Sequence, residues 1–167
     1  MSTEHFEIER KFIIRRPNRA YLEANGTSTE ILQTYLLGQP GETTRVRKRW
    51  SGEKVRYILT IKTRVSAMRQ VERERELSEA EYRELLKNAD PERKPIRKER
   101  WVLEYRGQLF EIDLFPFWKK QAYLELELRD ESQEIDFPPA LELIREVTGD
   151  PRYTNRALAR EIPEEDE

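Results

Sequence analysis

A segment near the N-terminus carries acidic and basic side chains at alternate positions. Glu7, Glu9 and Lys11 are spaced two residues apart, with Ile8 between the first two and Phe12 after the last. Side chains two residues apart project from one face of a β-strand, so the three charges share a face and the apolar residues lie opposite. Neighbouring carboxylates can bind a hard divalent cation, and an amine beside them can contact an anion.

Charge alternation of this kind recurs in most later segments that have strand character. The basic positions are Arg45, Arg47, Lys62, Lys98 and Arg100, and the acidic pairs are Glu72/Glu74, Glu111/Asp113 and Glu125/Glu127. Arginines bind phosphate oxygens through two hydrogen bonds, and carboxylates hold Mg²⁺ or Mn²⁺ ions that bridge to phosphate. One isolated pair would ordinarily belong to a structural ion-pair network. So many pairs together favour a site for a linear polyphosphate with bound metal.

The composition is that of one folded domain with balanced charge. The 167 residues include 33 acidic and 31 basic ones, so the net charge is −2 although 38% of residues are charged. This balance, with 10% aromatic residues, argues against disorder and gives no support for binding nucleic acid or a membrane surface. The absence of Cys fits a cytoplasmic protein. The single His5 cannot by itself build a zinc site or a catalytic triad.

Eight segments are predicted to be strands. They are expected at about residues 4–14, 30–37, 43–50, 55–63, 68–77, 97–105, 108–115 and 122–130. Each is rich in β-branched, aromatic or alternating residues, and most are separated by turn residues. The dipeptide Arg106-Gly107 predicts a tight hairpin between the sixth and seventh strands.

Helices are expected to be few and short. Ser78 and Glu81 are spaced as a capping box, which predicts a helix start. Further helices are expected over residues 17–25 and from Pro138 to Gly149, with one helical turn after Arg156. A single domain is predicted over 1–160. The acidic run 161–167 is expected to be a solvated, disordered tail.

The charge on one face of the strands decides between two architectures. An open antiparallel sheet would place its apolar face in the core and its charged face in water. Here the second face is almost entirely charged and grouped by sign within each strand, which destabilises a sheet unless opposite charges or ligands face it. The sequence therefore predicts an α+β fold: an eight-stranded antiparallel β-barrel with a charged interior and a few helices outside. Its outer apolar surface exceeds what two helices would cover, so a homodimer is also expected.

The ordered motifs resemble those of the CYTH, or triphosphate tunnel metalloenzyme, superfamily. The opening Glu7-x-Glu9-x-Lys11 matches its ExExK motif, and the later charged pairs follow in the family's order. The resemblance implies a tunnel-shaped barrel, a triphosphate-bearing substrate and two Mg²⁺ or Mn²⁺ ions. It implies catalytic roles for Lys11, near the reacting phosphate, and Tyr35. It implies substrate binding by Arg45, Arg47, Lys62, Lys98 and Arg100, and metal binding by Glu7, Glu9, Glu72, Glu74, Glu111, Asp113, Glu125 and Glu127.

Members of this superfamily act on different triphosphates. In length and in its opening motif the chain is most similar to short bacterial inorganic triphosphatases, which implies metal-dependent hydrolysis of triphosphate to pyrophosphate and phosphate. Animal thiamine triphosphatases use a Trp ahead of the basic strand, where this chain has Thr43 and Thr44, and Trp50 follows the strand. The alternatives are another triphosphate-using activity (class IV adenylate cyclase, thiamine triphosphatase or nucleoside triphosphatase) and a non-catalytic module that binds polyphosphate or nucleotides.

Overall fold

The strands of the chain form one sheet that closes into a barrel. The computed structural model describes residues 2–166, and the strands of this range are β1 Ser2–Arg15, β2 Gly26–Leu36, β3 Glu42–Ser51, β4 Lys54–Arg64, β5 Arg69–Leu77, β6 Ile96–Tyr105, β7 Gln108–Leu114, β8 Gln121–Glu127 and β9 Leu143–Glu146. The sheet order is β5-β4-β3-β2-β6-β7-β8-β1-β9, and an additional β5–β1 pairing closes a ring of eight strands. All pairings are antiparallel, so the predicted eight-stranded barrel is confirmed.

The long first strand closes the barrel because its two halves have different partners. Residues 2–8 pair with β5, whereas residues 9–15 pair with β8. The short β9 pairs with the same edge of β1 as β5 does, but further along the strand, from Phe12 to Ile14. The predicted hairpin is present between β6 and β7. Arg106 and Gly107 both have positive φ angles, 50° and 76°, as a two-residue turn matching the twist of the strands requires.

The helices are short, and three of the four predicted ones are present. They are α1 Arg19–Asn25, α2 Glu79–Leu85 and α3 Asn155–Leu158, with 3₁₀ turns at Leu86–Asn88 and Pro151–Tyr153. The predicted capping box begins α2: the Ser78 side chain accepts a hydrogen bond from the Glu81 backbone, and the Glu81 carboxylate accepts one from the Ser78 backbone. Within residues 2–166, no helix is long and apolar enough to cross a membrane.

The prediction of a helix from Pro138 to Gly149 is wrong. This segment instead contains β9, in which Leu143 is 39% exposed. The buried Leu141 and Val147 have a spacing that also suits a helix, which is why the pattern was ambiguous. The free edge of β1 decides the outcome, because it offers backbone hydrogen bonds that a short isolated helix cannot match.

The apolar outer face of the barrel is covered by the chain itself. Trp101, Leu103, Phe110, Ile112, Leu124 and Leu126 are all buried beneath α1 and the coil between β8 and β9. In that coil Phe137 packs against Phe12 and Phe110, with ring centroids 5.1 and 6.1 Å apart. The exposed apolar surface on which the homodimer was predicted is therefore absent from the described part of the chain. The homodimer stays a prediction without that support.

Two smaller clusters complete the core. One closes an end of the barrel interior, where Ile13, Tyr35 and Tyr123 of the strands meet Trp118 and Leu158. The other lies outside β3 and β4 under α2, which contributes Tyr82. Side chains of the first cluster therefore block that end of the barrel, and the interior does not open to solvent there.

The acidic tail differs from its predicted solvated state over residues 161–166. Trp118 Nε1 donates a hydrogen bond to the Pro163 carbonyl at 3.0 Å, and the Asp166 backbone donates to Gln121 Oε1 at 2.7 Å. Asp166 also forms an ion pair with Arg145, at 2.7 Å. These contacts fix the tail beside β8, while Glu167 lies outside the described residues. A separate boundary at residue 160 stays a prediction.

Replacing Phe137 by Ala tests whether the coil stabilises the barrel. Removal of the half-buried ring would leave a cavity over Phe12 and Phe110, so we expect the free energy of unfolding to fall by about 2 kcal/mol. Urea unfolding followed by fluorescence measures it. Leu37→Ala, at a position 64% exposed, is the control and should change stability by no more than about 0.5 kcal/mol. Equal losses in both variants would contradict a covering role for the coil.

Candidate active site

The inward-facing charges divide the barrel into a basic half and an acidic half. In the closed sheet β4, β3, β2 and β6 are consecutive neighbours, and so are β7, β8, β1 and β5. The first group carries Arg45, Arg47, Lys62, Lys98 and Arg100; the second carries Glu111, Asp113, Glu125, Glu127, Glu7, Glu9, Glu72 and Glu74. Lys11, on β1, is a base in the acidic half. Two walls of opposite charge therefore face each other across one interior.

The two walls enclose a cavity of about 350 Å³. It is lined by Glu7, Glu9, Lys11, Tyr35, Gly41, Thr43, Arg45, Arg47, Arg49, Lys62, Arg64, Gln70, Glu72, Glu74, Arg100, Glu111, Glu125, Glu127, Thr154, Asn155 and Arg156. Eight of these side chains are basic and seven are acidic. A bare polyanion would be attracted by one wall and repelled by the other, whereas a polyanion that carries divalent cations is complementary to both.

The centre of the basic wall holds buried guanidinium groups with unpaired donors. Arg45 and Arg47 are 7% and 3% exposed, and Nε of each has no hydrogen-bond partner among the described residues. Burial, and then the charges of Arg45 and Arg100, lower the pKa of Arg47 to about 9, which leaves it charged at neutral pH. Buried, unsatisfied donors destabilise a folded protein unless a ligand accepts from them. This wall is therefore built to receive an anion.

The centre of the acidic wall brings carboxylates directly opposite one another. Glu9 of β1 pairs with Glu127 of β8, and Glu111 of β7 pairs with Glu125 of β8. Burial and the charge of Glu125 raise the pKa of Glu9 to about 7. Burial also raises the pKa of Glu127, and Glu7 adds to the effect. Carboxylate oxygens crowded in this way are the ligands that Mg²⁺ and Mn²⁺ prefer, so the acidic wall fits such ions.

Ion pairs join the two halves where they meet. At the β6–β7 seam, Lys98 Nζ donates to Asp113 Oδ2 at 2.8 Å, and Arg100 donates to both oxygens of Asp113 at 2.8 and 3.0 Å. Burial would raise the pKa of Asp113, but the charges of Arg100 and Lys98 outweigh it and hold the pKa well below its usual range. At the β4–β5 seam, Arg47 contacts Glu74 at 3.2 Å. The seam charges thus neutralise one another.

The structure places Lys98 and Asp113 behind the lining of the cavity, where Asp113 is hydrogen-bonded to Arg100. Both are 1% exposed and neither lines the cavity, whereas the other thirteen of the fifteen predicted residues do. Lys98 Nζ also donates to Asn155 Oδ1 at 3.3 Å, so its hydrogen bonds are directed to protein groups. In this structure the two side chains bind each other, and direct phosphate binding by Lys98 and metal binding by Asp113 stay predictions. The two-residue spacing gave the correct face but could not show the depth of each side chain.

Lys11 and Tyr35, the two residues predicted to be catalytic, lie near the blocked end of the cavity. The Lys11 amine is 3.2 Å from Glu125, donates to the Tyr153 carbonyl at 3.3 Å and lies 4.7 Å from the centre of the Tyr123 ring. These contacts hold the amine in one place. Tyr35 is 3% exposed and is the cross-strand partner of Arg45. Both positions suit groups that act at one end of an extended substrate.

Several cavity residues were missed from the sequence. Arg49 and Arg64 continue the alternation of β3 and β4 by one more step, so the same pattern could have found them. Asn155 and Arg156 come from α3, far along the chain. The Asn155 amide oxygen accepts hydrogen bonds from Gln33 and Lys98. Only the packing of α3 against the barrel end brings these last residues to the cavity.

Comparison with known proteins agrees with the geometry. No protein-family profile matches the chain. An inorganic triphosphatase of Nitrosomonas europaea is 33% identical over 159 residues, which cover 94% of this chain and 99% of that protein. The chain belongs to the CYTH, or triphosphate tunnel metalloenzyme, family. An inorganic triphosphatase of Acetivibrio thermocellus is 30% identical over 155 residues, covering 92% of this chain and 93% of that protein.

A solved structure has the same fold over almost the whole chain. The crystal structure of an inorganic triphosphatase superposes with a TM-score of 0.59 at 29% identity, covering 95% of this chain and 97% of the other. The predicted resemblance to short bacterial inorganic triphosphatases is therefore confirmed. The family's barrel also explains why both walls of the cavity are built from strands rather than loops.

Replacing Glu9 by Gln should stabilise the metal-free protein. A carboxyl with a raised pKa favours the folded state while protonated, so its ionisation destabilises the fold as pH rises from its ordinary pKa of 4.5 through about 7. With EDTA present, we expect Glu9→Gln to raise the free energy of unfolding by about 1–3 kcal/mol at pH 8, and by much less near pH 5. Denaturant unfolding at both pH values measures the difference.

The control for that experiment is Glu53→Gln, in the exposed turn between β3 and β4. It removes the same charge without relieving any buried repulsion and should leave stability unchanged at both pH values. A Glu9→Gln variant that is less stable than wild type at pH 8 would contradict the repulsion argument.

Proposed function

We propose that this protein hydrolyses inorganic triphosphate to pyrophosphate and phosphate with the help of divalent metal ions. The observation that carries the proposal is one cavity in which buried guanidinium groups with unpaired Nε donors face a wall of crowded carboxylates. The names of its relatives in Nitrosomonas europaea and Acetivibrio thermocellus support the same activity.

The lining of the cavity favours inorganic triphosphate over a nucleotide or thiamine triphosphate. Among the described residues that line it, Tyr35 is the one aromatic side chain, and it is almost fully buried. Trp50 is on the outer face of β3, where Lys48 and Arg97 lie 4.9 and 5.1 Å from its ring centre. No aromatic surface is therefore offered to stack a base or a thiamine ring, in contrast to sites that bind such groups.

The chain's own residues can bind, orient and polarise such a substrate. Arg45 and Arg47 would donate to the oxygens of the phosphate chain, and Lys11 would offset charge at the reacting phosphate near the blocked end. Glu7, Glu9, Glu125 and Glu127 would hold two Mg²⁺ or Mn²⁺ ions. When bound, such ions stabilise developing negative charge and activate water for attack. Positioning and electrostatics then suffice without a Ser or His nucleophile.

A substrate panel tests the specificity. We expect phosphate release from tripolyphosphate with Mg²⁺ or Mn²⁺, and slower or no release from ATP, thiamine triphosphate and long-chain polyphosphate, because the cavity offers no stacking surface and one end is blocked. A colorimetric phosphate assay measures all four substrates. Release from ATP but not from tripolyphosphate would reverse this ranking in favour of a nucleotide-using activity.

Variants of the two walls should have different kinetic effects. Arg45→Ala removes a charged contact worth about 1.5–3 kcal/mol, so we expect KM for tripolyphosphate to rise about 10–100-fold. Glu9→Gln removes a metal ligand and should lower kcat sharply, with partial recovery in excess Mn²⁺. Steady-state kinetics measure both. Glu9→Gln would then be more stable yet less active, a combination that a purely structural carboxylate would not give.

Arg129→Ala, at an exposed position after β8, is the control for charge removal and should keep wild-type kinetics. If Arg45→Ala keeps full activity and Glu9→Gln unfolds the protein, the charges are a structural network.

The remaining alternative is a module that binds polyphosphate without turnover. Tight tripolyphosphate binding by calorimetry that EDTA leaves unchanged, with no phosphate released, would favour that module. A cytoplasmic location, favoured by the absence of Cys, stays a prediction.

A further inference from the structure

The single histidine of the chain contacts Glu7, one of the acidic residues that line the cavity. His5 is two residues before Glu7 on β1 and therefore shares its inward face. Its Nε2 atom is 2.9 Å from Glu7 Oε1. One ligand atom from each of His5, Glu7 and Glu127 lies within 4.8 Å of the others.

We propose that His5, Glu7 and Glu127 form a mixed nitrogen-and-oxygen site that binds a first-row transition-metal ion such as Mn²⁺. The proposal adds an imidazole ligand to one of the metal ions of the proposed function. It rests on that function only for the identity of the substrate, because the metal can bind without one.

The spacing of the three groups suits a common ligand sphere. Two ligands at about 90° around an ion, with bonds of about 2.1 Å, are about 3.0 Å apart, which matches the 2.9 Å between His5 and Glu7. Ligands on opposite sides of the ion would be about 4.2 Å apart. All three ligand atoms lie within 4.8 Å of one another, so together they can surround one ion with little side-chain adjustment.

An ordinary His–Glu ion pair accounts for only part of this arrangement. It gives Glu7 a partner but leaves Glu127 with no hydrogen bond or ion pair among residues 2–166, directly opposite Glu9 on the neighbouring strand. A divalent cation would satisfy the two carboxylates and the imidazole together. The His5 side chain is 47% exposed, which leaves room for water to complete the coordination.

The imidazole determines which ions the site prefers. Mg²⁺ is a hard ion that favours oxygen ligands, whereas imidazole nitrogen is a good ligand for first-row transition-metal ions. A site with His5 should therefore discriminate for Mn²⁺ against Mg²⁺ more strongly than the all-carboxylate remainder of the wall. His5 would thus be a specificity-determining residue for the metal.

The test is electron spin-echo spectroscopy of Mn²⁺ bound to the untagged full-length protein, titrated to saturation without substrate. Because the chain has one His, a nitrogen coupling typical of bound imidazole can come only from His5. We expect that coupling in wild type and its loss in His5→Gln. Calorimetry should show the Kd for Mn²⁺ rising about tenfold in His5→Gln, with the Kd for Mg²⁺ changing much less.

Glu4→Gln is the matched control. It is the residue next to His5, is exposed and faces away from the cavity on alternating β1, so it should keep both the nitrogen coupling and the Mn²⁺ affinity. Absence of imidazole coupling in wild type at every Mn²⁺ occupancy overturns the proposal, whether or not His5→Gln folds. Tripolyphosphate hydrolysis with Mg²⁺, measured on the same wild-type sample, distinguishes this failure from failure of the proposed function.

Discussion

The closure of β1 against β5 and β8 places like charges against one another, and the rest of the interior depends on that constraint. In the barrel Glu9 and Glu127 are cross-strand partners, as are Glu111 and Glu125. In an open sheet water would screen these pairs, whereas the closed barrel removes much of that screening. The fold compensates at the seams, where Asp113 and Glu74 contact bases of the other half.

Seam and centre therefore have different functions although their sequences look alike. Lys98 and Asp113 are almost fully buried and satisfy each other, so they stabilise the junction of β6 with β7. Arg45 and Glu9, away from the seams, retain unmatched charge. A buried pair with both partners present is tolerated, while an uncompensated buried charge destabilises the fold. The uncompensated groups mark where ligands belong. Because these groups lower the stability of the ligand-free fold, metal and triphosphate are expected to stabilise the protein by binding to them.

The outer layer shows how a barrel with a charged interior and an apolar outer face stays folded. Two of its three apolar clusters lie outside the ring of strands, beneath α1, α2 and the coil that carries Phe137. That coil has no regular structure, so periodicity could not reveal it as a covering layer. The chain thereby buries residues such as Phe110 and Leu124 without a partner subunit.

The sequence by itself determined the strands, the hairpin at Arg106-Gly107, the capping box at Ser78 and the inward face of each charged strand, because these follow from local spacing and turn geometry. It also determined the family, through the order of the charged motifs. Only the tertiary structure decided that basic strands adjoin basic ones, that Asp113 is sealed at a seam and that Asn155 reaches the cavity. It also decided that residues 143–146 form a strand. Those outcomes depend on which strand edges meet and how deeply each side chain is buried, and both are properties of long-range contacts that no local pattern encodes.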